Sequence, residues 1–193
     1  MLKYRKELLL STILSSQRVQ KEGNRVMFQQ GQQVIYGGNG VCRIEEIIER
    51  DNGLPGGVQQ VYVIRLASGL TAYVPVKSNV FMRALITPEE AERVLADYPS
   101  IGMRSFAGTN SKALSDQYRA VIARHDPREM LCLYKSLRNK VEQARRAGKK
   151  PGAMDERFAS AALEQVVQEL SIVLCRSAQE ICAQLPETVM AEA

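Results

Sequence analysis

Hydrophobic and polar residues alternate along the first half of the chain with the period of two that half-buried strands show. Five short runs rich in β-branched and aromatic residues carry this pattern, at residues 34–36, 41–48, 61–66, 71–76 and 80–83. Glycine-rich breaks separate several of the runs, and glycine accepts the positive φ that tight turns require. Short strands joined by tight turns predict a small antiparallel β-barrel, closed or nearly closed.

From Thr87 onward the hydrophobic period changes to about 3.6, which predicts helices. Thr87 and Glu90 have the spacing of a capping box with Pro88 at the first helical position, so a helix should run to about Asp97. Residues 98–109 show no period and predict an extended connection. Three further helices are predicted, over residues 111–124, over about five turns after a cap at Asp126, and over residues 154–184. The second half should therefore be a compact all-helical domain, which makes the chain an α+β protein.

Residues 1–26 fit neither pattern. Their basic residues and short apolar run resemble a signal peptide, but no small-residue cleavage site follows. One hypothesis is that translation starts at Met27, because codons for Lys21-Glu22-Gly23 can contain a purine-rich ribosome-binding sequence. The alternatives are a short basic extension, amphipathic or disordered, and the leader of a secreted protein. The predicted organisation is an extension (1–26), a β domain (27–84), a helical domain (85–185) and a tail (186–193).

The net charge of +5 is distributed unevenly. Residues 104–157 hold thirteen basic and six acidic side chains, a net charge of +7, whereas the segments on either side, 27–103 and 158–193, are net acidic. A basic segment between acidic ones indicates a surface that faces a polyanion. The alternative is the solvated face of ordinary helices.

Few residues suit catalysis, metal binding or a membrane. The cysteines form no Cys-x-x-Cys pair and His125 is the single histidine, so no zinc site is predicted. The four cysteines are interpreted as reduced, mostly buried thiols of a cytosolic protein: Cys42, Cys132, Cys175 and Cys182. No apolar run approaches the roughly 18 residues that a membrane span needs. We predict no enzyme activity, no cofactor, no metal and no membrane partner.

A set of residues across the predicted strands occurs in the order of a known family. The set is Phe28, Gly31, Val34-Ile35-Tyr36, Gly40-Val41, Ile44 and Ile47, Tyr62-Val63-Ile64, Val74-Pro75-Val76 and Arg83. This order resembles the CarD/CdnL family, whose module also occurs in the transcription-repair coupling factor. The resemblance implies a Tudor-like (SH3-like) barrel that binds the β subunit of bacterial RNA polymerase, followed by a compact helical domain that touches promoter DNA. Over the helices it is weaker, and depends on Tyr118 followed by Arg119, on Asp126, and on the basic turn before a long last helix.

The resemblance also implies contact residues. Arg50 falls where the family has a basic residue that contacts the polymerase, at the end of the second strand. Tyr73, two residues before Pro75, replaces a residue that is basic in relatives. An exposed strand edge could also pair with a strand of the partner. The structural alternatives are a solvated strand end for Arg50 and barrel packing for Tyr73.

Candidate contacts to DNA come from the basic segment, because lysine and arginine side chains release counterions from the phosphate backbone. Leu114 is added by the resemblance, since the family typically has there a tryptophan that wedges against the opened strand; core packing is its alternative role. The candidate set is Arg104, Lys112, Leu114, Arg119, Arg145, Arg146, Lys149, Lys150 and Arg157.

The expected function is that of a monomeric, cytoplasmic transcription regulator, associated with the nucleoid through the polymerase. It would bind the RNA polymerase β subunit and promoter DNA and modulate open-complex stability. The alternative is a polymerase- or protein-binding adaptor whose helical domain binds protein and not DNA.

Overall fold

A computed structural model describes residues 20–22, 25–51, 57–108 and 110–185. The chain forms two compact units that divide between Ile86 and Thr87. Most of the predicted extension 1–26 and the predicted tail 186–193 lie outside the described residues. The described part of that extension contains strand β1 (Gln20–Glu22), which pairs with β2 (Arg25–Met27) in an antiparallel hairpin. The sequence pattern predicted no element here, and each of the two strands is three residues long.

The first unit contains a five-stranded antiparallel sheet, as predicted. Its strands are β3 (Gln33–Tyr36), β4 (Val41–Asp51), β5 (Val58–Arg65), β6 (Thr71–Pro75) and β7 (Met82–Ala84), in the order β6-β5-β4-β3-β7. One face packs into a hydrophobic core around Val34, Ile44, Tyr62 and Ile64. The hydroxyl of Tyr62 accepts a hydrogen bond of 3.1 Å from the backbone N–H of Phe28, which fixes the entry to the sheet.

The predicted barrel is wrong, because the sheet is not closed. Closure requires the two edge strands to pair with each other. Strand β7 is three residues long and all three pair with β3, while β6 pairs with β5 and with no other described strand. The sheet therefore remains open between β6 and β7.

A bulge in β4 decides which side chains reach the outer face. The register shifts between Ile44 and Glu46, which leaves Glu45 as the extra residue. Ile44 and Ile47 are three positions apart, yet they pair with Ile64 and Tyr62, which share the core face. Beyond the bulge, Glu46, Ile48 and Arg50 consequently lie on the outer face.

The second unit is helical, which confirms the α+β class. Its helices are α1 (Pro88–Asp97), α2 (Ser111–Ile122), α3 (Pro127–Arg146), α4 (Ala153–Leu174) and α5 (Ala178–Ala183). The capping box at the start of α1 is formed: the backbone N–H of Glu90 donates to Thr87 Oγ1 at 3.2 Å, and that of Thr87 donates to Glu90 Oε2 at 2.9 Å. In the described part of the chain, no helix combines the length and the apolarity needed to cross a membrane.

The last predicted helix, residues 154–184, is wrong as a single element. Helix α4 ends at Leu174, and Cys175 adopts the left-handed conformation with φ 52°. Helix α5 then begins at its own capping box, formed by Ser177 and Glu180. The apolar period hid the break, because Ile181 continues the buried face.

Candidate functional site

Two residues that the resemblance implied as polymerase contacts lie together on the outer face of the sheet. Arg50 stands near the end of β4 opposite Gln59 of β5, and Tyr73 stands on β6 opposite Val63. The guanidinium carbon of Arg50 lies 5.3 Å from the centroid of the Tyr73 ring. That is cation–π geometry, so the flat face of the tyrosine positions the charge.

These two side chains form one wall of a shallow groove, the Arg50–Tyr73 groove. It has a volume of about 350 Å³ and is completed by Asp51, Gln59, Val61 and Pro75. Val61 is buried beneath it, whereas Tyr73 is 54% exposed. Arg50 forms no ion pair with any described residue, so its charge remains available.

Strand β6 borders the groove and is an edge of the sheet. Its ladder runs from Thr71–Arg65 to Pro75–Val61, all with β5. No described strand pairs with its other side. Next to Tyr73 therefore lie backbone groups that have no strand partner among the described residues, and Pro75 lacks an N–H at the end of the strand.

In the helical unit, a buried carboxylate joins three helices. Tyr118 of α2 donates its hydroxyl to Asp155 Oδ1 of α4 at 3.0 Å, and Lys140 Nζ of α3 lies 2.8 Å from Asp155 Oδ2. Burial and the hydrogen bond to Asp155 raise the pKa of Tyr118. Burial alone would lower the pKa of Lys140, but the Asp155 carboxylate outweighs it and raises that pKa. Tyr118 is therefore a neutral donor and Lys140 a cation at neutral pH.

Five candidate DNA-contacting residues lie at one end of this unit, termed the basic end: Arg145, Arg146, Lys149, Lys150 and Arg157. Arg145 at the end of α3 pairs with Glu156 in the first turn of α4 at 3.0 Å, which ties the two helix ends together. Lys149 and Lys150, in the turn between them, are exposed and make no ion pair with described residues. The guanidinium carbon of Arg157 lies 5.3 Å from the ring centroid of Phe158.

Arg104 is not brought to the basic end. Its side chain pairs with Glu129 at 3.2 Å, and its backbone N–H donates to Ser136 Oγ at 2.8 Å. Glu129 precedes Arg145 by 16 residues on the same helix, which corresponds to about 24 Å along the axis. Arg104 thus packs against a part of α3 that is remote from the basic end.

The remaining candidates lie on α2. Lys112 is exposed in the first turn, and Arg119 lies 3.7 Å from Asp116 one turn before it. Leu114 is partly buried and packs on the backbone at Gly108, where an added Cβ would come within 3.0 Å of Leu114 Cγ. The roles of these residues toward DNA stay predictions.

Sequence reasoning missed the buried Lys135. Its ammonium donates to the carbonyls of Tyr98 at 3.1 Å, Pro99 at 3.3 Å and Ile101 at 2.7 Å, and so caps the chain leaving α1. The spacing of apolar residues on α3 did not indicate that Lys135 is buried. The sequence likewise did not indicate that Asp155 of α4 is buried. No group of three or more His, Cys, Asp or Glu side chains suited to a metal ion occurs among the described residues.

Comparison with known families identifies the sheet unit. Residues 28–86 match the model of the CarD-like/TRCF RID domain. A search of curated proteins found no match. The matched segment covers strands β3 to β7 and every residue of the Arg50–Tyr73 groove. Residues 28–86 of the sheet unit are therefore a CarD-like, RNA-polymerase-interacting domain.

Proposed function

We propose that the chain is a non-enzymatic, CarD-like transcription regulator. Its sheet unit binds the β subunit of RNA polymerase, and its helical unit contacts promoter DNA and changes open-complex stability. The observation that supports this most is the position of Arg50 and Tyr73, which share one groove within the segment that matches the polymerase-interacting family.

The groove has the chemistry of a protein-binding hot spot. Arginine and tyrosine are enriched among the residues that dominate binding energy, particularly above a desolvated apolar floor, which Val61 supplies here. The Arg50 guanidinium suits a carboxylate of the partner. The free edge of β6 adds the possibility of main-chain pairing beside these contacts.

The basic end supplies the proposed DNA contact. Lys149 and Lys150 project from a turn without ion pairs, so both can neutralise phosphates. A regulator that shifts the closed–open equilibrium must bind the open state more tightly than the closed one. A coupling of about 1–3 kcal/mol would change occupancy about 5- to 150-fold.

One observation favours the alternative, an adaptor whose helical unit binds protein. Four candidate arginines already have carboxylate partners: Arg104, Arg119, Arg145 and Arg146, at 3.2, 3.7, 3.0 and 3.2 Å. These ion pairs reduce the positive field that a phosphate backbone would meet. An adaptor of this kind would show no steep dependence of DNA affinity on salt.

Capture of β-subunit fragments tests the polymerase contact. Wild type and Arg50→Glu are compared with the control Arg43→Glu, which places the same charge change on the same strand before the bulge. We expect Arg50→Glu to lose capture and Arg43→Glu to retain it. Equal capture by all three proteins would exclude Arg50 from the contact, and capture by none would refute the tether to the β subunit.

The salt dependence of duplex DNA binding tests the helical unit. Replacing both Lys149 and Lys150 with alanine should reduce the slope of log K against log salt by about 2, close to one unit per phosphate contact. The control is Arg124→Ala, an exposed cation before the other end of the 20-residue helix α3, about 30 Å away. A wild-type affinity that does not change with salt would favour the adaptor.

A further inference from the structure

A cleft opens beside the buried Tyr118, where the chain before α2 crosses one face of α3. Its volume is about 350 Å³, within the ~300–1,000 Å³ range of small-ligand sites. This Phe106 cleft is lined by Arg104, Phe106, Tyr118, Asn139, Lys140 and Gln143, among others. None of the contacts proposed above except Arg104 uses it.

The charged groups of the cleft are positive. Arg104 and Lys140 line it, while their carboxylate partners, Glu129 and Asp155, do not. Lys140 has half of its side chain exposed although it is paired. No acidic side chain lines the cleft in the described part of the chain, so a phosphate would meet these two cations directly, and each cation would be shared with one carboxylate outside the lining.

The cleft also has a fixed aromatic wall. The ring of Phe106 contacts Tyr118 edge to face, with centroids 5.3 Å apart and an interplanar angle of 84°. Phe106 is partly exposed while Tyr118 is fully buried, so the buried ring holds the outer one in place. A positioned aromatic ring beside cations is the arrangement on which single-strand binders stack a base.

Two carboxamides complete the lining. Asn139 and Gln143 lie one helical turn apart on α3, and neither side chain makes a hydrogen bond in the described part of the chain. Each carboxamide carries hydrogen-bond donors and an acceptor, so it can pair with the acceptors and donors on the edge of a nucleobase.

We infer that the Phe106 cleft binds one nucleotide of single-stranded DNA. The phosphate lies toward Arg104 and Lys140, the base against Phe106, and the base edge toward Asn139 and Gln143. The inference rests on the proposed function, which brings the helical unit to the melted promoter. A free nucleoside monophosphate has the same chemistry, and the experiment separates the two sources.

Fluorescence anisotropy measures binding of the full chain to two labelled probes, a single strand of about 10 nucleotides and a duplex of the same sequence. The single strand has the length that single-strand-binding proteins commonly cover. We expect Phe106→Leu to weaken single-strand binding by about 5-fold or more, since stacking accounts for about 5- to 150-fold per base. Asn139→Ala and Gln143→Ala should each weaken it about threefold. The matched control Gln179→Ala, an exposed amide on α5, should leave it unchanged.

Each result decides between the possibilities. The inference is supported if the cleft variants lose affinity for the single strand and keep the wild-type affinity for the duplex. Equal losses for both DNA forms, or no loss in any cleft variant, overturn it. Deoxythymidine monophosphate that binds the cleft as tightly as the single strand does identifies a free nucleotide as the ligand and overturns the assignment to a strand, whereas displacement that needs a large excess of the nucleotide supports the strand. Duplex binding that is unchanged on replacing Lys149 and Lys150 refutes the proposed duplex contact without affecting the cleft.

Circular dichroism melting checks that each variant is folded. Should Phe106→Leu unfold, the two amide variants still decide the question, because Asn139 is half-buried, Gln143 is exposed, and neither side chain has a hydrogen-bond partner in the described part of the chain.

Discussion

Replacing Tyr118 with phenylalanine removes one hydroxyl from the centre of the helical unit. The variant keeps the ring contacts with Phe106 and Phe158, both at 5.3 Å between centroids, and loses only the 3.0 Å hydrogen bond to Asp155. A hydrogen bond to a charged group contributes about 1.5–3 kcal/mol to stability. Lys140, 2.8 Å from the same carboxylate, still compensates the buried charge. We therefore expect a loss of about 2 kcal/mol in the free energy of unfolding.

Urea unfolding followed by circular dichroism at the helix signal measures this loss. With a slope of about 2 kcal/mol per molar urea, the midpoint should fall by about 1 M. The matched control is Tyr73→Phe, whose parent side chain is 54% exposed on the sheet, and it should change stability by less than about 0.5 kcal/mol. If Tyr118→Phe unfolds at the same urea concentration as the wild type, the role given to the hydroxyl is refuted.

The pH dependence of stability is a second, independent test of the Tyr118 hydroxyl. Burial and Asp155 raise the pKa of Tyr118 above its ordinary value of 10.0, so the unfolded chain releases that proton first. Its contribution is complete below pH 10 and is lost as the pH rises through the raised pKa. The stability gap between wild type and Tyr118→Phe should therefore narrow above pH 10. A gap that widens there would contradict the assignment of the cause.

Three further substitutions test separate parts of the helical unit by urea unfolding. Lys135→Met removes the ammonium that caps three carbonyls, including that of Tyr98, and should cost about 2–4 kcal/mol; wild-type stability would show that the cap contributes nothing. Cys175→Gly relieves a left-handed residue with φ 52° and should stabilise the protein by about 1 kcal/mol, whereas a loss would mean that thiol packing dominates. Gly108→Ala places a methyl group 3.0 Å from Leu114 Cγ and should cost about 1–3 kcal/mol; an unchanged midpoint would show that the loop moves aside.

Sequence patterns predicted the elements whose signals are local. The period of two located the five strands of the sheet, and the spacing of Thr87 and Glu90 located the start of α1. Closure of the sheet was not predictable in this way, because it depends on whether β6 and β7, distant along the sheet, can meet. The break at Cys175 was missed because the apolar period continues through it, although the Ser177-to-Glu180 spacing marked a new helix start.

For the candidate site, too, some features were predictable from the sequence and others depended on the fold. Arg50 and Tyr73 were selected separately by resemblance, and the register of β4, β5 and β6 places them side by side. The buried contact between Tyr118 and Asp155 spans 37 residues and could not be found from spacing. Charge counting grouped Arg104 with the basic end, although a local ion pair with Glu129 holds it elsewhere. Composition reports which charges a segment holds, and only folding decides which of them share a surface.

The open edge of β6 has a consequence for evolution as well as for binding. Backbone N–H and C=O groups are the same for nearly every amino acid, so a partner strand held along Thr71–Pro75 would tolerate drift in the side chains of that strand. Exposed side chains of β6 outside the Arg50–Tyr73 groove, such as Thr71, would then be free to vary while attachment persists. An interface anchored on main chain can change its chemical character without passing through a detached intermediate.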